Sequence, residues 1–143
     1  MSATAFLWSG VVGALAPDLD MFYFYLVDHR QHPHHSYVTH YPVVWLMLLL
    51  GSIIGFYLST SKHIATYAAI FSLNGFAHMF FDTIVGDIRW TAPWGNKAFA
   101  FFTVPALYKP WWLNFLLHWS FAVELAIVVW AYYLWHKSRH LKQ

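Results

Sequence analysis

Ten histidines and six acidic residues are unevenly spread along the 143-residue chain, and their spacing points to metal chemistry. The densest run is His32-Pro33-His34-His35-Ser36-Tyr37-Val38-Thr39-His40. Neutral imidazole is a good ligand for zinc and other divalent transition metals, although such a tract can equally be a wet surface loop. His78 and Asp82 stand at i and i+4, which puts them on one helical face with Cβ atoms about 5–6 Å apart. One rigid helix would then present two N/O ligands in fixed geometry. The same spacing also serves an ordinary hydrogen bond inside a helical bundle. Pro17-Asp18-Leu19-Asp20 adds two carboxylates that would face apart on a regular helix. A shared role for them needs the break that Pro17 permits, with one acid as ligand and the other orienting a histidine. Otherwise Asp18 or Asp20 simply caps Met21–Val27. There is no cysteine, so any metal must be held by N and O atoms.

These residues need elements to position them, and composition indicates which kind. The hydrophobic set makes up 59% of the chain, and only 10% of residues are charged, against about 25% in soluble domains. That is too little charge to cover a small water-soluble surface, so the expected solvent is lipid. A net charge of +2, with no concentrated basic stripe, argues against nucleic acid as a partner. No basic residue precedes Arg30, so the start lacks the charged region of a secretory signal, and the chain is expected to insert and remain.

Four apolar stretches are expected to form a compact all-α bundle of about four transmembrane helices, one membrane-embedded domain over residues 1–143. The first, Ala5 to Val27, is broken at Pro17-Asp18-Leu19-Asp20, because an unpaired charge at mid-bilayer costs at least about 2.5 kcal/mol. The second is Val43 to Ser59, following Pro42, and the third is His63 to Val85. The fourth, Trp112 to Trp135, carries His118 near its start and Glu124, expected as a buried helix contact. It runs into a basic tail, His136 to Lys142, that reads as a cytoplasmic stop. Gly86 to Trp111 is rich in proline and tryptophan and belongs at the membrane surface, as an interfacial lid. Antiparallel crossing puts the loop from Asp28 to Tyr41 and the segment from Gly86 to Trp111 on one side of the bilayer. The ends of the third and fourth stretches that bear His78, Asp82 and His118 share that side, so the scattered polar residues are expected to converge.

The order Pro17-Asp18-Leu19-Asp20, then His35-Ser36-Tyr37-Val38-Thr39-His40, then His78 to Asp82, then Gly86-Asp87-Ile88-Arg89-Trp90 and Pro93-Trp94, covers about three quarters of the chain. It resembles the bacterial family of LexA-binding, inner-membrane-associated, metal-dependent hydrolases. The resemblance implies an integral inner-membrane protein that binds a divalent metal for hydrolysis through Asp18, Asp20, His35, His40, His78 and Asp82. Where relatives carry a basic residue and a glycine after the first histidine of the second motif, this chain has Ser36 and Tyr37.

The sequence reading is therefore a membrane-bound hydrolase holding one or two divalent metals, with zinc the expected ion, near one membrane face. Metal binding lowers the pKa of a coordinated water to about 7 in favourable zinc sites. His35, His40, His78 and Asp82 are the expected ligands, Asp18 or Asp20 completes the set or acts as general base, with Asp20 the candidate for catalysis, and His118 is the candidate proton donor or an extra ligand. Membrane lipid is the expected partner, and the expected substrate is a lipid-like ester or phosphoester. Two other readings use the same residues: a metal or proton carrier, for which Glu124 would be essential, and a non-catalytic membrane component with structural histidines.

Overall fold

The computed structural model describes residues 2–110 and 112–140, with only the backbone described at 139 and 140. Trp111 of the tryptophan-rich segment, and Leu141 and Lys142 of the basic tail, lie outside the described residues. The chain divides into two compact units, Met1–Phe101 and Phe102–Gln143, each described by itself. Both are helical, and among the described residues the sole strand-like feature is an isolated antiparallel bridge between Ile88 and Phe99.

In the first unit, α1 (Ala3–Leu15) is followed by a 3-10 turn (Pro17–Leu19) and α2 (Asp20–Leu26). Proline has no N–H to continue the helical ladder. The chain bends there by 53°, as the sequence led us to expect. Two further 3-10 turns, His34–Ser36 and Val38–His40, lead into α3 (Pro42–Leu58), where Pro42 takes the first-turn position that tolerates a missing donor. α4 (Lys62–Asp82) follows after Ser61.

α4 is the central helix, packed against α1 on one side and α3 on the other. Small residues allow the close approach, as is common between membrane helices. A Cβ at Gly13 of α1 would lie 2.2 Å from the Phe71 carbonyl oxygen, and one at Gly75 of α4 would lie 2.1 Å from the Trp45 ring. Beyond α4, the chain folds back on its last turn. The Phe101 N–H donates to the Thr83 carbonyl at 2.8 Å, the Trp90 indole N–H donates to Thr83 Oγ1 at 3.0 Å, and Ile88 is fully buried. Segment 86–101 is thereby tied to the end of α4 that bears His78 and Asp82.

The second unit departs from expectation. The fourth apolar stretch is two helices, α5 (Trp112–Leu116) and α6 (Trp119–His140), separated at His118. The His118 ring explains the interruption: its Nδ1 lies 2.9 Å from Ser120 Oγ and accepts from the Ser120 N–H at 3.4 Å, the place of a side chain capping a new helix. Before α5, the Asn114 amide holds the preceding loop, accepting from the Leu107 and Tyr108 N–H groups at 2.8 and 2.7 Å. Glu124, expected to be buried, is exposed on α6.

The expected count of four spans is not established by the helices themselves. Among the described residues, α4 alone is long and apolar enough to cross a membrane by itself, and the bent α1–α2 pair passes as one broken span. α3 is apolar but has 17 residues, the lower limit for crossing. α6 has the length, with 22 residues, but Glu124, His136 and Lys137 dilute its apolar run.

Candidate metal centre

Five elements of the first unit bring their polar side chains to one place: the 3-10 turn after α1, the first turn of α2, the two turns before α3, and the last two turns of α4. His78 is set by α1, since its Nδ1–H donates to the Ala14 carbonyl at 2.7 Å, in the last turn before the break. His40 is fully buried, and its Nδ1 donates to Asp20 Oδ2 at 2.7 Å. Thr39 donates its hydroxyl to the same carboxylate oxygen. The Thr39 carbonyl in turn accepts from the Trp45 indole at 2.7 Å. The chain of support runs from Gly75, which makes room for Trp45, through Thr39 to His40.

With Nδ1 committed on both rings, Nε2 is the free lone pair of each neutral imidazole. Both Nε2 atoms are buried without a hydrogen-bond partner. They lie beside two carboxylates: His78 Nε2 is 3.0 Å from Asp82 Oδ2 and 3.6 Å from Asp18 Oδ1, and His40 Nε2 is 3.8 Å and 3.7 Å from the same atoms. Donors around a tetrahedral zinc, with bonds of about 2.0–2.1 Å, stand about 3.3–3.4 Å apart. Acceptor atoms gathered at this spacing, two of them orphaned in the interior, fit a cation between them.

Two more histidines flank this core. His35 Nε2 is 3.5 Å from Asp82 Oδ2, and His34 Nε2 is 3.4 Å from Asp18 Oδ1 while its Nδ1 is 3.1 Å from Asp20 Oδ1. The groups Asp18–His40–His78 and His34–His35–His40 each have the compactness of a metal-ligand set. Asp18 is the most open of the seven, with 46% of its side chain exposed against 5% for Asp20. The approach to the cluster is therefore over Asp18.

Without a cation, the cluster handles its charge through protons. Burial opposes charge on His34, but its hydrogen bonds to Asp18 and Asp20 outweigh that and raise it to about 9. His40 is also raised, by the same two carboxylates acting against burial. His35 goes the other way, to about 4, because burial, joined by the neighbouring imidazoles, outweighs the attraction of Asp82.

All of Asp18, Asp20, His35, His40, His78 and Asp82 meet in this one cluster. Asp20 sits behind His40, bonded to its Nδ1. His118, the candidate proton donor, belongs to the second unit, where its Nδ1 engages Ser120. His34 joins the six clustered residues as a seventh member, which the sequence shows only as part of a histidine tract. Its signal is the proline before it, which starts a turn that brings consecutive histidines to one side.

The family model described as YdjM inner membrane protein matches residues 2–141, nearly the whole chain. The chain belongs to the YdjM inner membrane protein family. Its place is accordingly the bacterial inner membrane, in agreement with the composition. No curated protein and no solved structure matches it. Membership in the YdjM family gives the location, and the His/Asp cluster gives the chemistry that location has to accommodate.

Proposed function

We propose that this protein is a membrane-embedded metal-dependent hydrolase acting on an ester or phosphoester, with a lipid-like substrate presented at the membrane surface. The observation that carries the reading is the pair of buried, unpartnered Nε2 atoms of His40 and His78 set beside Asp18 and Asp82. Ionisable groups inside a membrane protein are functional by default, since leaving them unpaired in lipid is costly. Asp18, His40, His78 and Asp82 would hold a divalent cation, zinc being the expected ion, with His35 as a further ligand. When bound, the cation supplies a water activated for attack at neutral pH.

The chain's own residues do the rest. Asp20 orients His40 and keeps its free nitrogen aimed inward, the arrangement of a carboxylate behind a metal-bound histidine. Its Oδ1 lies 3.1 Å from His34 Nδ1, and Asp20 is the candidate general base. Asp18, on the open side, faces the incoming substrate. The location of the cluster at the end of α4 supports a substrate drawn from the headgroup layer, and α3 and α6 complete four membrane-embedded segments. The resemblance also implies LexA binding, which the chemistry of the cluster neither requires nor bears on.

The test is hydrolysis of phospholipid and simple ester substrates by the detergent-purified or vesicle-reconstituted protein with zinc supplied. Turnover by the wild type, abolished by chelator and by His78→Ala, is the expected result. A carrier would instead move zinc or protons across the vesicle membrane, with Glu124→Gln blocking transport, and would hydrolyse nothing.

A further inference from the structure

Two of the cluster's three carboxylates, Asp18 and Asp82, are flanked by different histidines. Asp18 Oδ1 has three imidazole nitrogens within 4 Å, from His34, His40 and His78. Asp82 Oδ2 also has three, from His35, His40 and His78. His40 and His78 thus stand between both acids, while His34 and His35, neighbours with ring centroids 4.9 Å apart, add one imidazole beside each acid.

Six side chains are more than one hydrolytic zinc uses, since such sites take three protein ligands and keep a position open. His40 has one free nitrogen, its Nδ1 being committed to Asp20, and one nitrogen serves one ion. A second ion must therefore draw on His34 and His35 together with the carboxylates. Charge points the same way. Two divalent ions on Asp18, Asp20 and Asp82 outweigh the three carboxylates by one positive charge, which suits an anionic phosphoester.

We propose that the cluster is a two-cation centre bridged by Asp18 and Asp82, with His40 and His78 on one ion and His34 and His35 on the other, suited to an anionic phosphoester. The inference rests on the metal-site reading above. Pairs of cations about 3.5–4 Å apart recur in phosphoester hydrolysis, where they clamp the attacking and leaving oxygens.

The test loads the detergent-purified full chain with manganese, counts bound metal per chain and records its paramagnetic resonance spectrum. Expected are two manganese ions per chain with an exchange-coupled spectrum in the wild type, and one ion with an uncoupled spectrum in His34→Ala/His35→Ala. One uncoupled ion in the wild type would overturn the two-cation centre and leave the one-cation site standing. Two ions retained in the double variant would overturn the assignment of His34 and His35. No bound manganese, and none of zinc supplied in its place, would overturn both readings. The wild-type count and spectrum decide the matter even if the double variant fails to fold.

Discussion

Asp20 Oδ2 accepts the Nδ1–H of His40 at 2.7 Å, so the side chain first read as a general base is also the one that fixes a buried ligand. Thr39 donates to the same oxygen. Removing the charge while keeping the shape isolates this role. Asp20→Asn should weaken divalent-metal binding by about 10–100-fold, the usual cost of losing a partner behind a ligating histidine. Competition against a chromophoric chelator measures it. Affinity equal to wild type would show that His40 needs no such partner.

Metal binding should release protons. At pH 7, His34, raised to about 9, carries a proton that a cation must displace, whereas His35, lowered to about 4, is already neutral. Because ligands bind deprotonated, apparent affinity should rise as pH increases towards 9 and fall as it drops. Titration calorimetry in buffers of differing ionisation enthalpy reads the proton count directly. His34→Gln should lower that count, and a heat independent of buffer would contradict the assignment.

Gly86 makes room for His35. A Cβ there would come within 2.6 Å of His35 Cε1 and 3.0 Å of the Asp82 carbonyl, while the Gly86 N–H donates to that carbonyl at 2.6 Å. Gly86→Ala should push the imidazole away from Asp82 and reduce metal affinity about as much as His35→Ala does. The double variant should be no worse than either single one, since residues in contact do not add independently. Full additivity in a double-mutant cycle would separate the two.

Gly75 supports the opposite wall of the cluster. With the Trp45 ring packed where a Cβ would sit, Gly75→Ala should destabilise the protein by about 1–3 kcal/mol, the cost of overpacking. It should also loosen the Trp45 bond to the Thr39 carbonyl. Thermal unfolding in mild detergent gives the first effect and metal affinity the second. Unchanged unfolding would mean that the α3–α4 contact yields more easily than its geometry indicates.

The grouping of six side chains was legible because it follows from coarse rules. An i, i+4 pair shares a helical face, proline breaks a helix, and alternating crossings assign loops to sides. What escaped depends on short-range geometry. His34 joins His35 because a 3-10 turn follows Pro33, and nothing in the apolar pattern announces that turn. The division of the fourth stretch at His118 was hidden because Trp112 to Trp135 is apolar enough to read as continuous, and the capping bond to Ser120 involves a residue type seldom found in that role. Gly86 was noted as part of a motif, but its closeness to His35 exists only once segment 86–101 has folded back onto Thr83. The count of membrane crossings was overdrawn for a related reason: length and hydropathy nominate segments singly, and α3 and α6 each fall short by one of those measures.

Asp18, His40, His78 and Asp82 are proposed to surround a divalent cation. Metal analysis of the protein purified in mild detergent, beside His78→Ala and Asp82→Ala purified identically, tests it most directly. Stoichiometric metal in the wild type, lost in both variants with helical content unchanged, is the predicted result. Metal retained at wild-type level in both variants, or none in the wild type after zinc is supplied, would contradict it.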